Sequence, residues 1–206
     1  MGGRSNLFRE FFHPTDRTGY HEPSDESSRT SGFDGLRMET GMKRYNRVVF
    51  AAESGTCRAP MAMGILKEYA LKYPVEVEAR GLVVLFPEPL NQKAEAVMIS
   101  NGINMEAYMS KQLTEEDFTE DTLVLVMEQV QREKILEKYE NADPDNVQVL
   151  TELVGDELEI LDPYGGTLQS YGLCYETMRK SIKKLAALLN EAEQEEEREE
   201  DRTWEK

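Results

Sequence analysis

Cysteine, histidine and tryptophan are scarce in these 206 residues: two, two and one. Cys57 and Cys174 permit one disulfide at most. With no CxxC pair and no cluster of His with Cys, they read as reduced thiols of a cytoplasmic protein. His13 and His21 both fall in the leading tail, so a zinc site is not expected. Nothing in the pattern calls for a cofactor. No apolar run approaches the about 20 residues of a membrane span, so no membrane partner is expected. The first residues lack an apolar signal core, and secretion is not indicated. Positive charge is also short. Lys and Arg number 24 against 40 Asp and Glu, a formal net charge of -16. Nucleic acid is therefore not an expected partner, because phosphate backbones select basic surfaces. What remains is a chain 39% apolar, enough for one core. Its length suits one domain of roughly 100–150 residues with tails.

The tails stand out by composition. Residues 1–41 are rich in Gly, Ser, Thr, Asp, Glu and Arg and read as a disordered leader. Its NLFREFF stretch has a sharper alternative, a short helical docking motif. Met42 directly precedes the first strand pattern and is an alternative translation start. Residues 191–206 form an acidic tail that extends the last helix or frays. Its sharper alternative is a contact for a basic partner, which the lone Trp204 mildly favours.

Between the tails, over residues 42–190, strands alternate with helices. RVVFA is a short buried strand. APMAMGILKEYALKY follows as a helix with Met61, Ile65, Leu66 and Tyr69 on one face. VEVEARG alternates like a strand. NQKAEAVMISNG is a helix ended by Gly102. LTEEDF has the look of a helix start, with Thr114 as cap. TLVLVM is a continuous apolar strand of the kind buried on both faces. EQVQREKILEKY is helical, NVQVLTEL holds a fourth strand, and DPYGG is a turn. Leu168, Tyr171, Tyr175, Met178, Ile182, Leu185 and Leu189 then mark one face of a long helix. The pattern predicts an α/β fold: a four-stranded parallel sheet with helices on both faces and right-handed crossovers. Ligands of such sheets bind beyond the carboxyl ends of the strands. The loop after RVVFA lies there.

That loop, AESGTCRAP, runs from a strand into a helix opened by Pro60. Glu53, Ser54, Gly55, Thr56, Cys57 and Arg58 can turn backbone N–H groups toward one spot, where the helix dipole adds positive character. Arg58 can add a planar two-pronged contact to phosphate or sulfate. The bland alternative is an ordinary turn with a surface Arg. DPYGG likewise reads as a plain turn, or as a loop holding the Asp162 carboxyl over the cradle as a general acid.

Taken together, these segments resemble the low-molecular-weight protein tyrosine phosphatases from about Tyr45 to Asn190. The family's loop has the form Cys-x5-Arg-Ser/Thr followed by Pro and a helix, and AESGTCRAPMA overlays it. PEPLNQKAEAVMISNGINMEAYMSKQLTEEDF is similar to the family's middle segment, TLVLVME to its strand ending in Met, and DPYGGTLQSY to its acid loop. The resemblance implies the phosphotyrosine protein phosphatase I-like fold, with Arg58 and Asp162 at catalytic positions and residues 53–58 as the phosphate-binding loop. The family's thiolate attacks phosphorus, and the amides and arginine stabilise the charge. Here that position is Ala52, and a methyl group cannot attack phosphorus. Ala59 replaces the hydroxyl that supports the thiolate. Glu53, if it faces inward, repels phosphate. Thr122 stands where many members carry an Asp that orders the surroundings of the acid loop. Cys57 sits where some members have a second cysteine, off the line of attack, and reads as a small buried thiol.

The resemblance therefore implies a pseudophosphatase that binds a phosphorylated or anionic ligand, or a protein partner, at the former active-site loop. One alternative is a phosphoric-monoester hydrolase in which Glu53, Asp162 or Cys57 assists a direct attack by water. Another is a regulatory module that binds no anion. Arsenate reduction also begins with the missing cysteine and is disfavoured. Oligomeric state is not legible.

Overall fold

Five of the six residues of β1 (Arg47–Ala52) are buried, a run that needs cover on both faces of a sheet. β2 (Glu76–Gly81) and β3 (Thr122–Val126) flank it, and the short β4 (Val147–Val149) forms the far edge. The order is β2-β1-β3-β4 and every pairing is parallel. The expected four-stranded parallel sheet is what forms. The computed structural model describes residues 42–204, and side chains as far as residue 192. The leader with its NLFREFF stretch, His13 and His21, and the Trp204 side chain lie outside the described residues.

Register places the functional end. Ala52 stands opposite Gly81, Ala51 opposite Val126, and Val126 opposite Val149. The four carboxyl ends are level, so the segments that leave them emerge together at one end of the sheet. Alternation then sorts the side chains between two layers. Val48, Phe50, Leu123 and Leu125 face α1 (Arg58–Lys67), α2 (Gln92–Ser100) and α5 (Leu168–Trp204). Val49, Ala51, Val124, Val126, Val147 and Val149 face the other way, under Ile135 and Tyr139 of the α3 region (Gln129–Lys138).

Two local expectations are corrected, and two hold with narrower bounds. α1 is not a one-faced helix: every residue from Arg58 to Leu66 is buried. It is sandwiched between the sheet and its neighbouring helices, and small residues make the room. A Cβ on Gly64 would lie 2.5 Å from Met98 Cε and 2.9 Å from Met105 Sδ. Leu168 does not share the buried face of α5, where Tyr171, Tyr175, Met178, Ile182, Leu185 and Leu189 pack; it is 53% exposed at the helix start. LTEEDF starts a helix at Thr114 as its N-cap, but the helix is one 3-10 turn, Glu115–Asp117. Asp117 accepts the Thr114 N–H at 3.0 Å and is drawn into an ion cluster with Arg47 at 2.7 Å and Arg80 at 3.1 Å. NVQVLTEL holds the fourth strand, which leaves the sheet after Val149 because β3, its neighbour among the described residues, has no further ladder to offer. Leu150–Leu153 instead winds into one turn, α4. The backbone of α5 continues through Trp204, so the acidic stretch prolongs the last helix. No helix among the described residues is long and apolar enough to cross a membrane.

Candidate functional site

β1 delivers residues 53–57 to the carboxyl end of the sheet, and α1 begins at Arg58. Gly55 has φ +67, the left-handed region that favours glycine. A Cβ on Gly55 would lie 2.8 Å from Gly81 N, and one on Gly81 would lie 2.8 Å from the Ser54 carbonyl. Two glycines therefore seat the loop directly on the end of β2. Further bonds fix its course. Leu82 N–H donates to Ala52 O at 3.0 Å, Val83 N–H to Glu53 O at 2.9 Å, and Asn91 N–H to Thr56 O at 2.8 Å. The Tyr108 hydroxyl donates to Gly55 O at 2.5 Å. The Ser54 and Thr56 hydroxyls lie 2.8 Å apart. The N–H groups of Ser54, Gly55 and Cys57 take no acceptor among the described residues. The loop backbone thus keeps free donors ahead of the positive end of α1.

The side chains of the loop do not match those donors. Ala52 ends β1 with a bare methyl, and Ala59 is fully buried in the first turn of α1. Burial pushes the Cys57 thiol up to about 12, Cys174 and Asp162 push the same way, and Arg58 only opposes them. A thiol pushed in that direction stays protonated at neutral pH, whereas reactive cysteines have depressed values. Cys174 is likewise buried and free, its thiol pushed up to about 11 mainly by burial. Glu53 does not face inward. Its carboxylate lies 3.4 Å from Lys134 Nζ of α3, and both side chains are about half exposed.

Arg58 is the unusual member. Its side chain is 3% exposed, and its donors are committed inside the protein. Nη1 donates to the Glu128 carboxylate and, at 2.8 Å, to Ile160 O; Nη2 donates to Asp162 Oδ2 at 2.9 Å. Asp162 Oδ1 also accepts the Tyr164 N–H at 3.0 Å, which shapes the DPYGG turn. The structure therefore brings Arg58 and Asp162 together, but as a salt bridge. One guanidinium faces two carboxylates, so this cluster carries a net formal charge of -1.

Glu128 was missed by the sequence reading. It follows TLVLVM directly, at the carboxyl end of the strand beside β1, so position and strand order together put it next to the loop. Gln131 steadies it, with Nε2 3.4 Å from Glu128 Oε1 while its own oxygen accepts the Met127 N–H at 3.1 Å. Thr122 does not order the acid loop. It pairs with Arg47 at the start of β1, a full strand length from that loop, and its hydroxyl lies 2.8 Å from that of Thr119.

The family model described as low molecular weight phosphotyrosine protein phosphatase matches residues 47–195. The chain belongs to this family. Within it, the chain is 27% identical over 139 residues to the low molecular weight protein-tyrosine-phosphatase PtpB of Staphylococcus haemolyticus, covering 68% of this chain and 96% of that protein. Among solved structures it resembles the YwlE arginine phosphatase from Geobacillus stearothermophilus, with TM-score 0.65 and 30% identity over 70% of this chain and 92% of that one. It also resembles a YwlE arginine phosphatase mutant with a phosphorylated active site serine, with TM-score 0.64 and 28% identity over 69% and 95% of the two chains.

Proposed function

We propose that this chain is a pseudophosphatase, a member of the phosphatase family that does not turn over phosphate esters and uses the former active-site face to hold a protein partner. The observation that carries this reading is Ala52. By the Cys-x5-Arg spacing it stands at the nucleophile's position, at the head of the loop. The solved mutant with a phosphorylated active site serine supports it. A hydroxyl can carry a phosphoryl group there, and a methyl has no atom to do so.

The state of Arg58 bears on what the face holds. An incoming dianion would have to displace Glu128 or Asp162 from the guanidinium, and would then sit beside both carboxylates. At about 5 Å and an effective dielectric constant near 20, each unit charge pair opposes it by about 3 kcal/mol. A phosphorylated or anionic ligand is the second reading, and the free N–H groups of Ser54, Gly55 and Cys57 favour it. A water-attack hydrolase has less support, since Glu53 faces Lys134, Asp162 is paired with Arg58 and Cys57 is held protonated.

The test is release of phosphate from an aryl phosphate and from phosphoarginine by the full chain. No rate above buffer is expected, and Arg58→Lys should leave it unchanged. Turnover abolished by Arg58→Lys would remove the pseudophosphatase reading. Turnover abolished by Glu53→Gln or Asp162→Asn would instead install the water-attack chemistry.

A further inference from the structure

Exposed large apolar side chains gather where the carboxyl ends of the sheet emerge. The segment after β2 shows Val83, Leu85 and Phe86, and the segment after α4 shows Leu158, Leu161 and Tyr164, all more than half exposed. β2 lies on one side of β1, and β3 and β4 lie on the other. The loop headed by Ala52 therefore sits between the two segments. Both are fastened to it. Val83 N–H bonds Glu53 O at 2.9 Å, while Ile160 O and Asp162 bond Arg58 at 2.8 and 2.9 Å. These are walls of a collar. Covering a Leu or Phe contributes about 1.5–3 kcal/mol, and large apolar side chains left in water on both segments beside one loop point to an interaction surface.

The charge around the collar restricts the occupant. Glu88, Glu157 and Glu159 are exposed on these two segments with no ion pair among the described residues, and the Arg58 cluster with Glu128 and Asp162 adds a net charge of -1. Of the nearby bases, Lys134 is offset by Glu53 and Arg58 by its buried cluster, while Lys93, on the Gly166 carbonyl at 2.5 Å, and the exposed Lys111 keep their charge, which leaves the rim net acidic. Such a rim steers cationic groups in and keeps anions out.

We propose that this collar binds a protein segment whose apolar side chains are flanked by Lys or Arg. The proposal rests on the reading of the chain as a non-catalytic binding module and names the chemistry of its partner. The apolar part of the segment covers Leu85, Phe86, Leu161 and Tyr164, and its basic residues meet the acidic rim. A phosphorylated peptide or an anionic lipid surface meets repulsion from the same rim.

The test titrates the full chain, watched by amide NMR, with a synthetic amphipathic peptide of Leu and Lys. A counterpart with every Lys replaced by Glu is run beside it. The basic peptide is expected to shift residues 83–88 and 157–164 and to bind at least about tenfold more tightly than its charge-reversed counterpart. Raising salt from about 0.05 M to about 0.5 M should weaken it by screening the rim. Leu85→Ser with Phe86→Ser should weaken it about tenfold with the melting temperature unchanged. Equal binding of both peptides overturns the proposal, as does an absence of saturable binding. So do shifts centred on the shallow groove of about 520 Å³ between α2 and α5, lined by Leu168 and Leu173. Phosphate release is measured on the same sample. Turnover removes the pseudophosphatase reading whatever the peptides do, and silent turnover with equal peptide binding removes only the partner assignment.

Discussion

Ala52→Cys combined with Ala59→Ser is expected to raise aryl phosphate hydrolysis by about a thousandfold over the wild-type chain, on the order of 4 kcal/mol of barrier. The expectation rests on the backbone. Gly55 keeps its left-handed conformation, and its contact with Gly81 leaves the loop little freedom to move. A thiol at position 52 would then meet donors that are already in place, and a hydroxyl at position 59 would support its thiolate. Arg58 is the remaining obstacle, since its guanidinium is bonded to Glu128 and Asp162. Adding Glu128→Gln removes one charge from that cluster and should raise the rate about tenfold further, the size of one modest electrostatic contribution. Steady-state phosphate release on the double and triple variants is the check. Recovery in the double variant with no gain from Glu128→Gln would show that Glu128 does not restrain Arg58. No recovery in either would show that the loop itself is no longer shaped for phosphoryl transfer.

Arg58→Met is expected to act on stability. In a site whose arginine waits for a substrate, removing it costs activity and little else. Here the guanidinium is 3% exposed and ties the end of β3 to the segment 160–162. Removing one partner of a buried ion pair costs about 3–5 kcal/mol. Glu128 and Asp162 keep 26% and 42% of their side-chain surface in contact with solvent, so they regain hydration when released. With solvent screening discounted, about 2–3 kcal/mol is expected. For a domain of this size that lowers the melting temperature by about 5–10 °C. Faster amide exchange is expected across residues 156–164, since the clamp holds that segment. Calorimetry and hydrogen exchange together make the check. A melting temperature within about 2 °C of wild type, with unchanged exchange, would contradict a structural role for the arginine.

Much of the fold was legible because its signals are local. TLVLVM is apolar throughout and is buried throughout as β3. The segment from Ala59 to Leu66 also lacks a polar face, and that signal of a helix buried all round was present in the letters. The end of β4 was less legible, because a strand stops where its neighbour stops, and only the register shows that Val126 is opposite Val149. At the site, the loop, Arg58 and Asp162 could be found from spacing and resemblance, and so could the missing thiol. Side-chain direction could not. Glu53 points to Lys134 because α3 packs on the far side of the sheet, a contact across 81 positions of sequence. Glu128 joins Arg58 across 70 positions, and strand order alone decides that meeting. Thr122 shows the same limit from the other side. A residue at the start of a parallel strand lies far from loops at its end, however close it comes in a motif.

The letter at position 52 is tested most directly by intact-mass spectrometry of the wild-type chain after incubation with an aryl phosphate and with phosphoarginine, followed by rapid acid quench. Ala52→Cys with Ala59→Ser is the positive control, expected to trap one phosphoryl group on the loop. The wild-type chain is expected to keep its unmodified mass at every time point, because no side chain of the loop offers an activated nucleophile. A phosphoryl adduct on the wild-type loop, whether on Cys57, Ser54 or Thr56, would contradict its loss of phosphoryl-transfer chemistry.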